Sequence, residues 1–146
     1  MKRFHIQMSV DDFDAGLRFY SALFDTAPSL CKDDYARWML DDPRVNFSIS
    51  ARGFKTGVDH LGIQVETAGE LEEVYSRLQR AEGQKIEIGQ ATCCYAHLEK
   101  RWIVDPVGLF WEAFLTTADS DEYGTDPEHV VELRERIARA GDAAAK

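Results

Sequence analysis

The chain repeats itself, and that constrains its fold more than any other feature. Residues 4–24 and 59–79 match at a constant offset of 55, which pairs His5 with His60, Val10 with Val65, Tyr20 with Tyr75, Ser21 with Ser76 and Leu23 with Leu78. Further on, Trp38 aligns with Trp102 and Leu40 with Val104 at an offset of 64, then Pro43 with Pro106 and Phe47 with Phe110 at 63. The second copy is about nine residues longer, and the added residues fall between its helix and the strand of Trp102, around Cys93 and Cys94. Two copies of this length are too few and too long for a solenoid, so the repeat implies a duplicated module inside one domain. A chain of 146 residues that is 45% apolar supplies one core of that size without disulfide staples.

Each copy opens with alternating residues, the period of a strand. Phe4, Ile6, Met8 and Val10 form an apolar face against His5, Gln7 and Ser9; Leu61, Ile63 and Val65 form one against His60, Gly62 and Gln64. A helix follows each strand. Phe13, Leu17, Tyr20 and Phe24 give the first its stripe, with Asp11 or Asp12 as cap; Leu71, Val74, Tyr75 and Leu78 give the second its stripe, with Thr67 and Glu70 at capping-box spacing. Shorter strand-like segments come next, then a turn at Asp42-Pro43 or at Asp105-Pro106 with Gly108, then a last strand. The expectation is an α+β fold of two tandem βαβββ modules, about 1–52 and 57–117, whose polar faces line a concave half-barrel cleft in a single domain of residues 1–117. Residues 118–146 read as an acidic linker and a short C-terminal helix with the stripe Val130, Leu133 and Ile137.

Charge narrows the partners. Seventeen Lys and Arg against 26 Asp and Glu leave a net charge of −9, a field that repels phosphate backbones and anionic headgroups, so neither nucleic acid nor a membrane is expected. The longest apolar run is four residues, Cys93 to Ala96, against the ~20 that span a bilayer. Lys2 and Arg3 resemble the start of a signal peptide, but His5, Gln7 and Ser9 interrupt the stretch behind them, and a cytoplasmic protein is expected. The three cysteines agree, being odd in number with two adjacent, which suits free thiols in a reducing compartment.

Two histidines at equivalent positions, both on the polar face, suggest a metal site. Glu112 shares a face of the last strand with Phe110 and Phe114, and a carboxylate among aromatics needs a positive partner. A divalent metal on His5 and His60 would be that partner; Lys100 or Arg101 in a structural network is the alternative. At an offset of 63 the first copy places Ile49 opposite Glu112, so no fourth protein ligand is expected there. Two His and one carboxylate with open positions is the pattern of nonhaem Fe(II) sites that activate dioxygen.

The duplicated module, opened by His5 and His60 and closed by Asp105-Pro106-Val107-Gly108-Leu109-Phe110-Trp111-Glu112, resembles the vicinal oxygen chelate superfamily of glyoxalase I, bleomycin-resistance proteins and extradiol dioxygenases over residues 1–117. A narrower likeness rests on Lys32-Asp33-Asp34-Tyr35-Ala36, Trp38-Met39-Leu40-Asp41-Asp42-Pro43, Asp59-His60-Leu61-Gly62-Ile63-Gln64-Val65-Glu66 and Thr92-Cys93-Cys94-Tyr95-Ala96. Together these are similar to carbon-arsenic lyases and the related cadmium-induced proteins. The resemblance implies Fe(II) on His5, His60 and Glu112 as the catalytic and metal-binding residues, although Ni, Co, Mn or Zn can fill such a site. It also implies capture of a trivalent organoarsenical by Cys93 and Cys94, and O2-dependent cleavage to arsenite and an oxidised organic fragment.

The thiols support that reading on chemical grounds, because adjacent soft ligands form a ready chelate for a thiophilic atom. Adjacent side chains of a regular strand point to opposite faces, so both can grip one atom only in a loop or bulge, which the longer second copy is expected to provide. Lys100 and Arg101 are close enough in sequence to favour thiolates. Rival readings are a sequestering protein for cadmium or arsenite without turnover, an isomerase of the glyoxalase I type, and ring cleavage of a catechol. Ile49 argues against the isomerase, and catechol cleavage gives the thiols no role. The modules can pair within one chain or between the two chains of a homodimer.

Overall fold

Strand and helix alternate as the repeat requires. The computed structural model describes residues 1–53 and 55–144. Along the chain run β1 (Arg3–Ser9), α1 (Phe13–Leu23), β2 (Leu30–Lys32), β3 (Tyr35–Asp41), β4 (Arg44–Ser50), β5 (Gly57–Val65), α2 (Ala68–Arg80), β6 (Gln84–Cys93), β7 (Ala96–Val104), β8 (Phe110–Asp119) and α3 (Glu128–Ala144). This is an α+β fold of two βαβββ modules followed by a C-terminal helix. By packing the chain divides into two units, Arg3–Gly62 and a second that runs from Ile63 onward and includes Met1 and Lys2.

In the first unit the strand order is β2-β3-β4-β1-β5. β1 and β4 are parallel, with His5 beside Asn46, Gln7 beside Ser48 and Ser9 beside Ser50. Ile6, Met8 and Val10 turn the other way and join Phe13, Leu17, Tyr20 and Phe24 of the α1 side around Trp38, Phe47 and Ile49. Asp12 caps α1 by accepting from the Ala15 amide at 2.9 Å. The polar row His5, Gln7, Ser9, Asn46, Ser48 and Ser50 is itself buried. Polar side chains hidden on one face of a sheet mark that face as built for something other than hydrophobic packing.

Ile49 does not occupy the position that the repeat offset gave it. It is fully buried on the α1 face, where a Cβ added to Gly16 would meet its Cδ1 at 3.2 Å. The residues of β4 that share the His5 face are Asn46, Ser48 and Ser50, and Ser48 Oγ donates to Gln7 Oε1 at 3.0 Å. An offset wrong by one residue exchanges the two faces of a strand, and the matched aromatics Trp38 and Trp102 conceal that slip. Trp38 packs with the α1 side, whereas Trp102 packs with Phe110, Val130 and Leu133 under α3. The residues that this face of β4 offers beside His5 are therefore Asn46 and the serines rather than Ile49.

In the second unit the end of β5 stands beside β8, and the order continues β8-β7-β6. One face of these strands packs on α2 through Val65, Leu71, Val74, Tyr75 and Ala113. Thr67 caps α2 by accepting from the Glu70 amide, while the Glu70 carboxylate reaches back to the Glu66 amide, a variant of the capping box. On the other face, Ile86, Trp102, Val104 and Phe110 receive Val130, Leu133 and Ile137 of α3, the stripe read from the sequence. The C-terminal helix therefore covers part of the face that carries Glu112. No helix among the described residues is long and apolar enough to cross a membrane.

The extra length of the second module lies in its strands. The hairpin from β2 to β3 covers residues 30–41 and that from β6 to β7 covers 84–104, which accounts for the nine-residue difference. Both hairpins turn in two residues, Asp33-Asp34 in the first and Cys94-Tyr95 in the second, where the expectation of a long loop is not met.

Candidate functional site

β1 and β5 bring the two module-opening histidines together in the first unit. His5 Nε2 and His60 Nε2 are 3.2 Å apart, and both rings are almost fully buried. His5 Nδ1 lies 3.0 Å from the Asn46 carbonyl, and His60 Nδ1 lies 2.7 Å from Asp59 Oδ2. A carbonyl and a carboxylate only accept, so each Nδ1 carries the proton it donates. In the neutral rings each Nε2 is then a lone pair, and the two lone pairs face each other. Such an arrangement repels unless a cation sits between, and histidines tied through Nδ1 to a carbonyl or carboxylate are oriented as metal ligands usually are. The 3.2 Å spacing accommodates two bonds of about 2.0–2.1 Å to one ion. The donor set therefore fits a divalent metal.

In the second unit Glu112 stands near the start of β8, directly across from Trp102 of β7. It is buried, and Lys100 Nζ lies 3.9 Å from its Oε2. Lys100 is fully buried and donates to Asp126 Oδ1 at 2.6 Å, and Arg134 of α3 braces the other Asp126 oxygen at 3.6 Å. Burial by itself pushes the Lys100 ammonium down, but Cys93, Glu112 and Asp126 together hold it above the ordinary lysine range. Lysine as a partner of Glu112 is thus present in the structure alongside the carboxylate's candidate role as a ligand. Arg101, one residue on, points to the α2 face and lies over the Tyr75 ring at 3.8 Å, so it takes no part here.

The thiols sit at the tip of the second hairpin. Cys93 pairs with Ala96, and the two residues between them, Cys94 and Tyr95, have φ of +56° and +60°. This is the turn whose twist matches a two-residue hairpin, usually built from Asn and Gly because left-handed backbone costs other residues about 1–2 kcal/mol each. The turn breaks the strand alternation and brings Cys93 Sγ to within 3.0 Å of Cys94 Sγ. Hydrogen bonding to Cys94 and burial hold the Cys93 thiol well above the usual range despite Lys100, contrary to the expected thiolate. Cys31, the third free cysteine, is exposed in the other unit.

Residues 120–126 also belong to this cluster, a placement their acidic composition does not announce. The Ser120 amide donates to the Tyr95 carbonyl, Gly124 bridges to Cys93, and Tyr123 Oη lies 3.8 Å from Cys94 Sγ. Gly124 has φ of +74°, and a Cβ there would run into the Thr92 carbonyl, so the close approach requires glycine. An acidic, glycine-containing stretch reads as a linker; only the lone Gly124 was a signal.

Removing one partner of a buried ion pair is expensive. Asp126→Ala is expected to lower unfolding stability by about 3–5 kcal/mol in urea titrations, and Lys100→Met with Asp126→Leu to restore most of it. A loss below about 1 kcal/mol would show that Glu112 alone suffices for Lys100.

No family model matches the chain. Among solved structures, the Mn(II)-bound glyoxalase from Novosphingobium aromaticivorans superposes with a TM-score of 0.58 at 15% identity, over 86% of this chain and 43% of that one. The fold is that of the vicinal oxygen chelate superfamily. Among curated proteins, a trivalent organoarsenical cleaving enzyme of Bacillus sp. (strain MD1) is 39% identical over 131 residues, which are 87% of this chain and 81% of the relative. The cadmium-induced protein CadI of Mycobacterium tuberculosis (strain ATCC 25618 / H37Rv) is 34% identical over 131 residues, 88% of this chain and 86% of the relative. The chain belongs to the family that these trivalent organoarsenical cleaving enzymes and cadmium-induced proteins form.

Proposed function

We propose that this protein captures a trivalent organoarsenical on Cys93 and Cys94 and cleaves its carbon-arsenic bond with O2 and an Fe(II) ion held by His5, His60 and Glu112. The observation that carries the reading is the thiol pair: two sulfurs 3.0 Å apart, held on one side of a strained turn. Two adjacent soft donors suit arsenic; Cys93 also packs against Ala96, Leu98 and Phe114, but Cys94 stands at a turn position that ordinarily prefers Asn or Gly. Relatives named for cleaving trivalent organoarsenicals support the substrate class.

Capture is an exchange at arsenic. Each S–H gives its proton to a hydroxide leaving arsenic, so two As–S bonds form and two waters depart, with no net change of charge. Protonated thiols, which burial and the Cys94 hydrogen bond favour at Cys93, suit this neutral exchange. A bound Cd²⁺ would instead have to expel two protons from the same pair, against the raised thiol. That asymmetry favours an arsenical over a divalent ion, although cadmium-induced relatives keep sequestration as the second reading.

His5 and His60 would hold a divalent metal through their Nε2 atoms, and Glu112 is proposed as the carboxylate that would complete the set. Fe(II) in a two-His, one-carboxylate set supplies redox chemistry with dioxygen. The chain's own contribution is placement. Asp59 and the Asn46 carbonyl fix the histidine tautomers, Lys100 balances the Glu112 carboxylate, and the hairpin tip would hold arsenic on two sulfurs at once.

The deciding experiment mixes anaerobically Fe(II)-loaded protein with methylarsonous acid and then admits O2. O2 uptake matched by arsenite release supports the enzyme; stoichiometric arsenical binding without either supports sequestration.

A further inference from the structure

We infer that Tyr123, in the segment between β8 and α3, is a specificity-determining residue that favours aryl over methyl substituents on the captured arsenic. The inference rests on the proposed capture by Cys93 and Cys94 and adds what the third substituent of arsenic touches.

Tyr123 Oη is 3.8 Å from Cys94 Sγ, and the Tyr123 ring stands edge to face against Tyr95 with centroids 5.5 Å apart at 85°. Tyr95 is itself the second residue of the turn that carries the thiols, so both rings flank Cys94 from fixed backbone positions. The position of Tyr123 is fixed by its neighbours: Gly124 bridges to Cys93, and Asp126 is tied to the buried Lys100. Neither tyrosine is fully buried, which leaves ring surface for a ligand.

An atom bridging two sulfurs 3.0 Å apart lies about 2.3 Å from each, the length of a thiolate bond to a soft ion. Its organic substituent starts there, next to the Cys94 sulfur and hence next to Tyr123. A methyl carbon ends one bond from arsenic. A phenyl ring extends over a distance comparable to the spacing of the two tyrosines and can stack on or abut either ring. Aromatic contacts of this kind change affinity by about two- to tenfold beyond area burial.

The test measures affinity for phenylarsine oxide and for methylarsonous acid, using the full chain, its Tyr123→Leu variant and its Tyr123→Phe variant. The quantity read is the phenyl-to-methyl ratio, which a merely structural contribution of the segment would leave unchanged. Tyr123→Leu is expected to lower the ratio about two- to tenfold, chiefly by weakening the phenyl compound, while Tyr123→Phe keeps it within about twofold of wild type. An unchanged ratio in Tyr123→Leu, or parallel weakening of both arsenicals, would overturn the assignment of specificity to Tyr123 and leave capture by the thiols standing. If the unsubstituted protein binds neither arsenical, the capture reading fails and this inference falls with it.

Discussion

His60→Ala is expected to lower divalent-metal affinity by at least about 100-fold and to abolish O2-dependent turnover, and His5→Ala and Glu112→Ala are expected to do the same. Loss of a group that merely orients a ligand already costs about 10–100-fold, so loss of the ligand itself should reach or exceed that range. The histidine variants should fold, because the apolar cluster around Trp38, Phe47 and Ile49 lies on the opposite side of the sheet. Glu112→Ala is a separate case, since it also removes a carboxylate 3.9 Å from the buried Lys100, so Glu112→Gln serves as its control for folding. Equilibrium titration with Fe(II) under argon, followed by metal analysis, gives the result directly. Full metal affinity in any one variant would remove that residue from the ligand set.

Changing Cys93 or Cys94 to Ser should separate capture from the metal. A chelate reduced to one thiol loses the gain of intramolecular closure, about 10²–10⁴ in affinity, and the replacing hydroxyl is a hard donor that arsenic disfavours. Fe(II) affinity should remain within about threefold of wild type, since neither thiol is a proposed iron ligand. Parallel titrations with phenylarsine oxide and Fe(II) report both quantities. Unchanged arsenical affinity would reduce the pair to two small side chains at a turn, and a loss of iron affinity would make a thiol an iron ligand.

What the sequence reveals here is governed by periodicity. The two opening strands, the helical stripes and the polar placement of His5 and His60 were legible because period two and period 3.6 are local signals. The repeat alignment then failed at Ile49, where matching large residues in β3, β4, β7 and β8 hid a slip of one position that reverses the face. The hairpin of Cys93 and Cys94 was legible as a departure from regular strand, but not as a two-residue turn, because Cys-Tyr lacks the residues that normally announce one. The Lys100–Asp126–Arg134 arrangement and the approach of Tyr123 to Cys94 involve separations of up to 29 residues and no motif, and only the folded chain shows them.

The left-handed turn also has an implication for how such a protein changes over generations or in the laboratory. Cys94 and Tyr95 hold backbone angles that asparagine and glycine would adopt with less strain, so the hairpin tip is a place where the fold and the chemistry want different residues. Selection for heat tolerance alone would favour Asn-Gly at these two positions and erase the proposed chelate while improving the hairpin. Selection for the proposed arsenical capture would hold Cys94 in place at that cost. A thermostable descendant that retains both thiols should therefore have gained its stability elsewhere in the chain.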